Sequence, residues 1–192
     1  EDPNAPPLSA QTEGVSGQVA VVDGKSQPPN PFKPEGNRSL KLEKEFAYDP
    51  IPRATWQFPN CSTGTLTFRA YVVQNEDFSD SMLNIFLMEE TDERIGPDLY
   101  FTKDEVVVRD GDDSHRYPNI WNAETPIDVQ ITFYPDKTYS LEIGGEPFPE
   151  KDTRFSFRYK DLQEINAVQF AIADGVRSEA MVFVDDISMQ TP

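Results

Sequence analysis

Cysteine and histidine are almost missing from the chain: 192 residues hold one of each, Cys61 and His115. A lone cysteine excludes an intrachain disulfide, and together the two cannot supply a Cys/His zinc set. Cys61 sits in the turn-like stretch Pro59-Asn60-Cys61-Ser62-Thr63-Gly64, with no basic neighbour to activate a thiolate. Positive charge is scarce as well. Seventeen Lys and Arg stand against 34 Asp and Glu, for a formal net charge of −17. Such a surface repels nucleic acid and anionic membranes, which removes both as expected partners. It also disfavours strongly anionic polymers unless a metal or a local basic patch intervenes. No apolar run approaches the ~20 residues needed to cross a bilayer, so no membrane insertion is expected. No Gly-rich phosphate loop is present, and no convincing amphipathic helix appears.

What the chain does have is aromatic residues and alternation. Thirteen Phe and seven Tyr lift the aromatic share to 11%, which offsets a modest 37% apolar content. The stretch from Glu1 to about Gly17 is polar and rich in Pro, Gly and Ser. It reads as a flexible tail or linker (1–17) ahead of one β-sandwich domain (18–192). A Pro-rich loop, Gln27 to Gly36, cannot be helical. From there a period of two dominates. Leu66, Phe68, Ala70 and Val72 alternate with Thr65, Thr67, Arg69 and Tyr71. Ile127, Val129, Ile131 and Phe133 alternate with Asp128, Gln130 and Thr132, and Ala54, Trp56 and Phe58 alternate with Thr55 and Gln57. These are half-buried strands. Met82 to Met88, Val106 to Val108, Ala167 to Ala173 and Met181 to Met189 are nearly continuous apolar runs and read as strands buried on both faces. Tyr134-Pro135-Asp136-Lys137, Gly144-Gly145 and Asp110-Gly111-Asp112-Asp113 supply turn chemistry between them. Many short antiparallel strands with regular turns predict an all-β, two-sheet antiparallel sandwich, or jelly roll.

The candidate chemistry is sparse. In Met181-Val182-Phe183-Val184-Asp185-Asp186-Ile187-Ser188-Met189, strand parity puts Asp185 on a face with Phe183, Ile187 and Met189. Asp186 falls on the face of Val182, Val184 and Ser188. Both faces are otherwise largely apolar, so the carboxylates need a partner: backbone N–H groups, or a structural calcium ion held by Asp185 and Asp186. Ser114-His115-Arg116-Tyr117 collects His, Arg and Tyr, but neighbours on a strand face opposite ways, so only His115 and Tyr117 converge. Aromatics outside the core pattern are candidate glycan platforms: Tyr71, Tyr100, Tyr117 and Trp121, with His115 beside them as a ligand-binding candidate. Core packing is the competing reading for Trp121.

A final strand reading Phe183-Val184-Asp185-Asp186-Ile187-Ser188 resembles the closing strand of the concanavalin A-like lectin/glucanase (laminin G-like) jelly rolls. Gly36-Asn37-Arg38-Ser39-Leu40-Lys41-Leu42 and Gly64-Thr65-Leu66-Thr67-Phe68-Arg69 resemble their early strands. Pro126 to Phe133 followed by Tyr139 to Gly145 resembles a laminin G-like pair. The resemblance spans roughly Val19 to Met189 in pattern more than identity. It implies two packed sheets, a calcium site at the closing-strand aspartate, and a poly- or oligosaccharide or a protein as partner. It also implies an exported bacterial protein: secreted, periplasmic or on the cell surface. Glucanases of this fold alternate acidic residues on one strand, and no Glu-x-Asp-x-Glu pattern occurs here. The reading is therefore a carbohydrate-binding module without a catalytic constellation. A structural or protein-interaction sandwich stands as one alternative, and a divergent polysaccharide lyase or hydrolase as the other.

Overall fold

The structure is a computed structural model that describes residues 19–23, 38–44, 51–73, 83–102, 104–172 and 180–191. The tail over 1–17 and the Pro-rich loop over 27–36 lie outside these residues. Among the described residues there are fourteen strands and no helix: β1 (Val19–Asp23), β2 (Arg38–Lys44), β3 (Arg53–Cys61), β4 (Gly64–Val73), β5 (Leu83–Glu89), β6 (Arg94–Phe101), β7 (Glu105–Asp110), β8 (Asp113–Pro118), β9 (Ile127–Phe133), β10 (Thr138–Ile143), β11 (Glu146–Phe148), β12 (Phe155–Ser156), β13 (Ile165–Ala171) and β14 (Ala180–Gln190). An eight-stranded sheet runs β1-β2-β14-β4-β9-β10-β11, with β12 also on β10, and a six-stranded sheet runs β3-β13-β5-β6-β7-β8. Every pairing is antiparallel.

The period-two pattern is what makes the sandwich. In β4, Leu66, Phe68, Ala70 and Val72 are buried while Thr65, Thr67, Arg69 and Tyr71 are half-buried. Val129, Ile131 and Phe133 of β9 and Tyr139, Leu141 and Ile143 of β10 continue the inward layer. The other sheet answers with Ala54, Trp56, Val168, Phe170, Leu83, Ile85, Leu87, Leu99, Phe101, Val106 and Val108. All of these join one apolar cluster. Phe68 and Phe170 meet edge to face across the interior at 5.2 Å. Each such side chain contributes about 1.5–3 kcal/mol by leaving water. Gly64 opens β4 because a Cβ there would lie 2.9 Å from the ring of Phe133.

The turns behave as their residues dictate. Tyr134-Pro135-Asp136-Lys137 joins β9 to β10, with Lys137 at φ 65° and its N–H bonded to the Tyr134 carbonyl. Gly144 and Gly145, at φ 64° and 84°, make the two-residue turn from β10 to β11. A single turn at Tyr159 is closed by the Leu162 N–H on the Tyr159 carbonyl.

Two features differ from the sequence reading. β6 contains Gly96-Pro97, which hides it from a strand search. The register jumps there, Phe86 facing Asp98 and Met88 facing Ile95, so the Pro sits in a bulge where the ladder needs no donor. β5 is not buried on both faces over its whole length: Asn84 and Phe86 are half-buried on the outer side.

A buried polar contact joins the two sheets. The hydroxyl of fully buried Tyr139, on β10, donates to the backbone carbonyls of Asp98 and Arg109, on β6 and β7 of the opposite sheet. Tyr139→Phe keeps the ring and removes only this bond. It should lower unfolding stability by about 1–3 kcal/mol in a denaturant titration; no change would mean that the bond carries none of the inter-sheet closure.

Candidate functional site

The two outer faces differ in what they leave available. On the eight-stranded sheet, a groove of about 260 Å³ is lined by Thr67, Arg69, Asp128, Gln130, Glu142 and Asp186 among others. Its guanidinium is already committed: Arg69 Nε and a terminal nitrogen donate to both oxygens of Asp128 at 2.7 and 3.3 Å, and Asp186 stands 3.9 Å away.

The six-stranded sheet carries the richer constellation. Antiparallel register places Arg53, Ala171, Asn84, Tyr100, Val107 and Arg116 in one transverse row, one residue from each strand. Five inter-strand steps of ~4.8 Å make that row about 24 Å long. The next row holds Thr55, Gln169, Phe86 and Asp98, with Arg109 on β7 beyond Asp98. The faces follow from parity: with Ala54 and Trp56 inward, Arg53 and Thr55 point outward. Gln169 donates to Thr55 Oγ1 at 3.2 Å. Phe86 and Tyr100 meet edge to face at 6.0 Å. The Arg109 guanidinium lies over the Tyr100 ring at 5.9 Å.

A groove of about 230 Å³ runs on this face, lined in part by Arg53, Asn84, Phe86, Met88, Glu93 and Gln169. It follows β5 from Asn84 to Met88, four strand steps or about 14 Å. Arg53 lies at the Asn84 end. Glu93, in the β5–β6 turn, lies at the other. Asn84 Oδ1 is buried with no hydrogen-bond partner.

Beside the groove lies a carboxylate that no motif announced. Asp98 is 0% exposed. Its Oδ2 accepts from the Tyr100 hydroxyl at 3.0 Å and from Arg158 at 3.1 Å, and Arg109 Nε stands 4.0 Å away. Its Oδ1 is buried without a partner. Burial is the largest influence on its pKa and outweighs the hydroxyl and the two guanidinium groups, pushing it up to about 6. The Tyr100 phenol is raised above its ordinary value, first by burial and then by Asp98. It therefore holds its proton and stays a donor.

The sequence candidates scatter. Tyr100 alone among them stands on the outer face of the six-stranded sheet. Tyr71 stands on the outer face of the other sheet, edge-on to Phe183 at 6.4 Å. His115 and Tyr117 do share a side of β8, but it is the core side. Tyr117 packs on Phe148 at 4.8 Å, and exposed His115 lies 6.3 Å from the Phe155 ring and 3.7 Å from Asp110. Trp121 is 4% exposed, edge-on to Phe101 at 5.4 Å, with its Nε1–H on the Glu105 carbonyl, so it offers no free ring face. Trp56 belongs to the core, as its parity predicts. Asp110 accepts the Ser156 N–H at 2.7 Å, which ties the acidic turn to β12. The Cys61 thiol is pushed up to about 11, by burial first and Glu164 second, so it is held protonated.

Asp185 and Asp186 sit in a bulge. Asp185 pairs with Arg69 and Ser188 with Thr67, so β14 carries an extra residue, and Asp186 adopts φ 51°. Parity reverses there: Met189 faces Leu66 and packs on the core, whereas Asp185 looks outward with Phe183. Asp185 is 6% exposed and its Oδ1 accepts the Asp186 N–H at 2.9 Å, while Asp186 is exposed near Arg69. Among the described residues no three His, Cys, Asp or Glu gather as a metal cluster.

No protein-family model and no curated protein matches the sequence. Solved structures do match in fold. An endo-β-1,4-glucuronan lyase from the fungus Trichoderma reesei aligns over 100% of this chain and 93% of its own at 11% identity and a TM-score of 0.61. The cellulose induced protein Cip1 aligns over 97% and 91% at 16% identity and 0.61. Sheep galectin-11 aligns over 73% and 97% at 12% identity and 0.51. With its two antiparallel sheets, the chain is a jelly-roll β-sandwich of the concanavalin A-like fold.

Two measurements test the buried carboxylates. Asp98 binds its proton more tightly folded than unfolded, where its pKa is the ordinary carboxylate value. Its contribution is thus fully present below about pH 4 and lost as pH rises through about 6. Unfolding free energies of wild type and Asp98→Asn should diverge by up to about 3 kcal/mol between pH 7 and 4, wild type gaining on acidification. Parallel curves would show that Asp98 does not titrate in that window. Asp185→Ala strips the bulge of its acceptor and should lower stability by about 1–3 kcal/mol. An unchanged melting temperature would show that the carboxylate does not anchor β14. Melting wild type with calcium and then with chelator tests the calcium expectation directly: a fall on chelation supports it, and coincident curves reject it.

Proposed function

We propose that this chain is a carbohydrate-binding module that holds a glycan along the outer face of its six-stranded sheet. The observation that carries the reading is the groove along β5, where Phe86, two side-chain amides and a guanidinium line one wall-to-wall surface. A sugar has an apolar ring face and a rim of hydroxyls. Phe86, backed by Tyr100, supplies a flat apolar partner for the first. Asn84 and Gln169 supply donors and acceptors for the second. The unpartnered Asn84 Oδ1 is an acceptor that a sugar hydroxyl would satisfy. Lectins and polysaccharide lyases among the fold neighbours are consistent with this class of ligand.

Binding is favoured over elimination by two observations. The Tyr100 phenol is held protonated as donor to Asp98, the wrong state for a base. The histidine, His115, is on the core side of β8. The acidic, cysteine-poor composition fits an exported protein, and fractionation of the native host tests that location.

A glycan array followed by calorimetry on the hits tests the reading. Phe86→Ala should weaken binding at least tenfold, about 1.4 kcal/mol, with the β-sheet circular dichroism retained. Binding that survives Phe86→Ala, or no binding across the array, would overturn it.

A further inference from the structure

We infer that the glycan this groove takes is acidic, its carboxylate held by Arg53; the inference rests on the binding reading above and narrows it to a ligand class. Arg69 is paired with Asp128, Arg94 with Glu89, Arg116 with Glu105 and Arg154 with Asp136, while Arg109 and Arg158 share Asp98. Of the arginine side chains described, Arg53 alone makes neither an ion pair nor a hydrogen bond. In a chain with 34 acidic residues and a net charge of −17, an acid for each guanidinium is the easy outcome. Arg53 is half-buried and lies in the groove rather than out in solvent.

The register shows why none of the described carboxylates on the neighbouring strands pairs with it. Its register partner on β13 is Ala171, and across Ala171 comes Asn84. The one acid among the lining residues, Glu93, is at the far end of the groove. The groove is thus polarised, cationic at one end and anionic at the other, with Phe86 between. A guanidinium is a planar fork matched to a carboxylate, and a half-desolvated fork without a partner is an open anion site. The amides of Asn84 and Gln169 beside it suit the hydroxyls of the same sugar ring. A uronate combines these three features: a carboxylate, hydroxyls and an apolar ring face.

The net charge of −17 works against an anionic ligand at long range, but not decisively. At physiological ionic strength charges beyond about 8 Å are screened, whereas a bidentate contact at hydrogen-bond distance is not. The inference therefore concerns short acidic segments seated at Arg53, with the rest of the chain held by Phe86 and the amides.

Calorimetry at physiological salt on tetrasaccharides of glucuronate, mannuronate and galacturonate tests it, each against its carboxyl-reduced counterpart. At least one acid should bind tenfold or more tightly than its reduced form. Arg53→Gln should remove that preference, so that the acid binds no more tightly than its reduced form, with the melting temperature unchanged. Arg53→Lys, which keeps the charge without the fork, should recover only part. Equal binding of acid and reduced forms, or an acid preference that survives Arg53→Gln, overturns the inference. Binding of neutral chains alone leaves the carbohydrate reading standing and removes this one, and silence towards every oligosaccharide removes both.

Discussion

A sheet with one apolar side must hide that side, and here the inner faces of the two sheets hide against each other. The inward rows of β4, β9 and β10 and those of β13, β5, β6 and β7 close a single core. Everything else in the molecule is subordinate to that closure. It fixes which residue of every alternating pair is spent on packing, and by elimination which are left to face water. Inside that layer the Tyr139 hydroxyl reaches two carbonyls of the opposite sheet without breaking the apolar packing around it.

The same closure makes the two outer faces unequal. On the eight-stranded sheet the cation is neutralised in place, since Arg69 and Asp128 are neighbours on β4 and β9 and pair directly. On the six-stranded sheet the acid that could have neutralised the surface, Asp98, is sunk out of solvent and shared by two arginines and a tyrosine. Three inter-strand steps of ~4.8 Å separate it from Arg53, too far for the two to pair.

Much of this was legible in the chain. Alternation marked β3, β4, β9 and β10, and the turn residues marked their ends, because a half-buried strand and a tight turn are set by local chemistry. Three things were not legible. β6 was hidden by Gly96-Pro97, since a bulge is tolerated only once a partner strand defines it. The side of Met189 was misread because parity holds only along an unbroken ladder, and Asp186 breaks it. The aromatic candidates were chosen for lying off the core pattern, yet Trp121 is in the core and Tyr117 lies against Phe148.

The sequence by itself determined the fold class, the turns, the absence of metal-binding Cys/His chemistry and the acidic character, all of which follow from composition and short-range periodicity. Only the tertiary structure decided the site. Arg53, Asn84, Phe86, Tyr100, Asp98 and Gln169 come from four strands separated by up to 116 positions, and each is unremarkable in its own segment. Their meeting depends on the strand order β3-β13-β5-β6, which is fixed by long-range pairing and by the shape of the shared core, not by any local preference of the residues themselves.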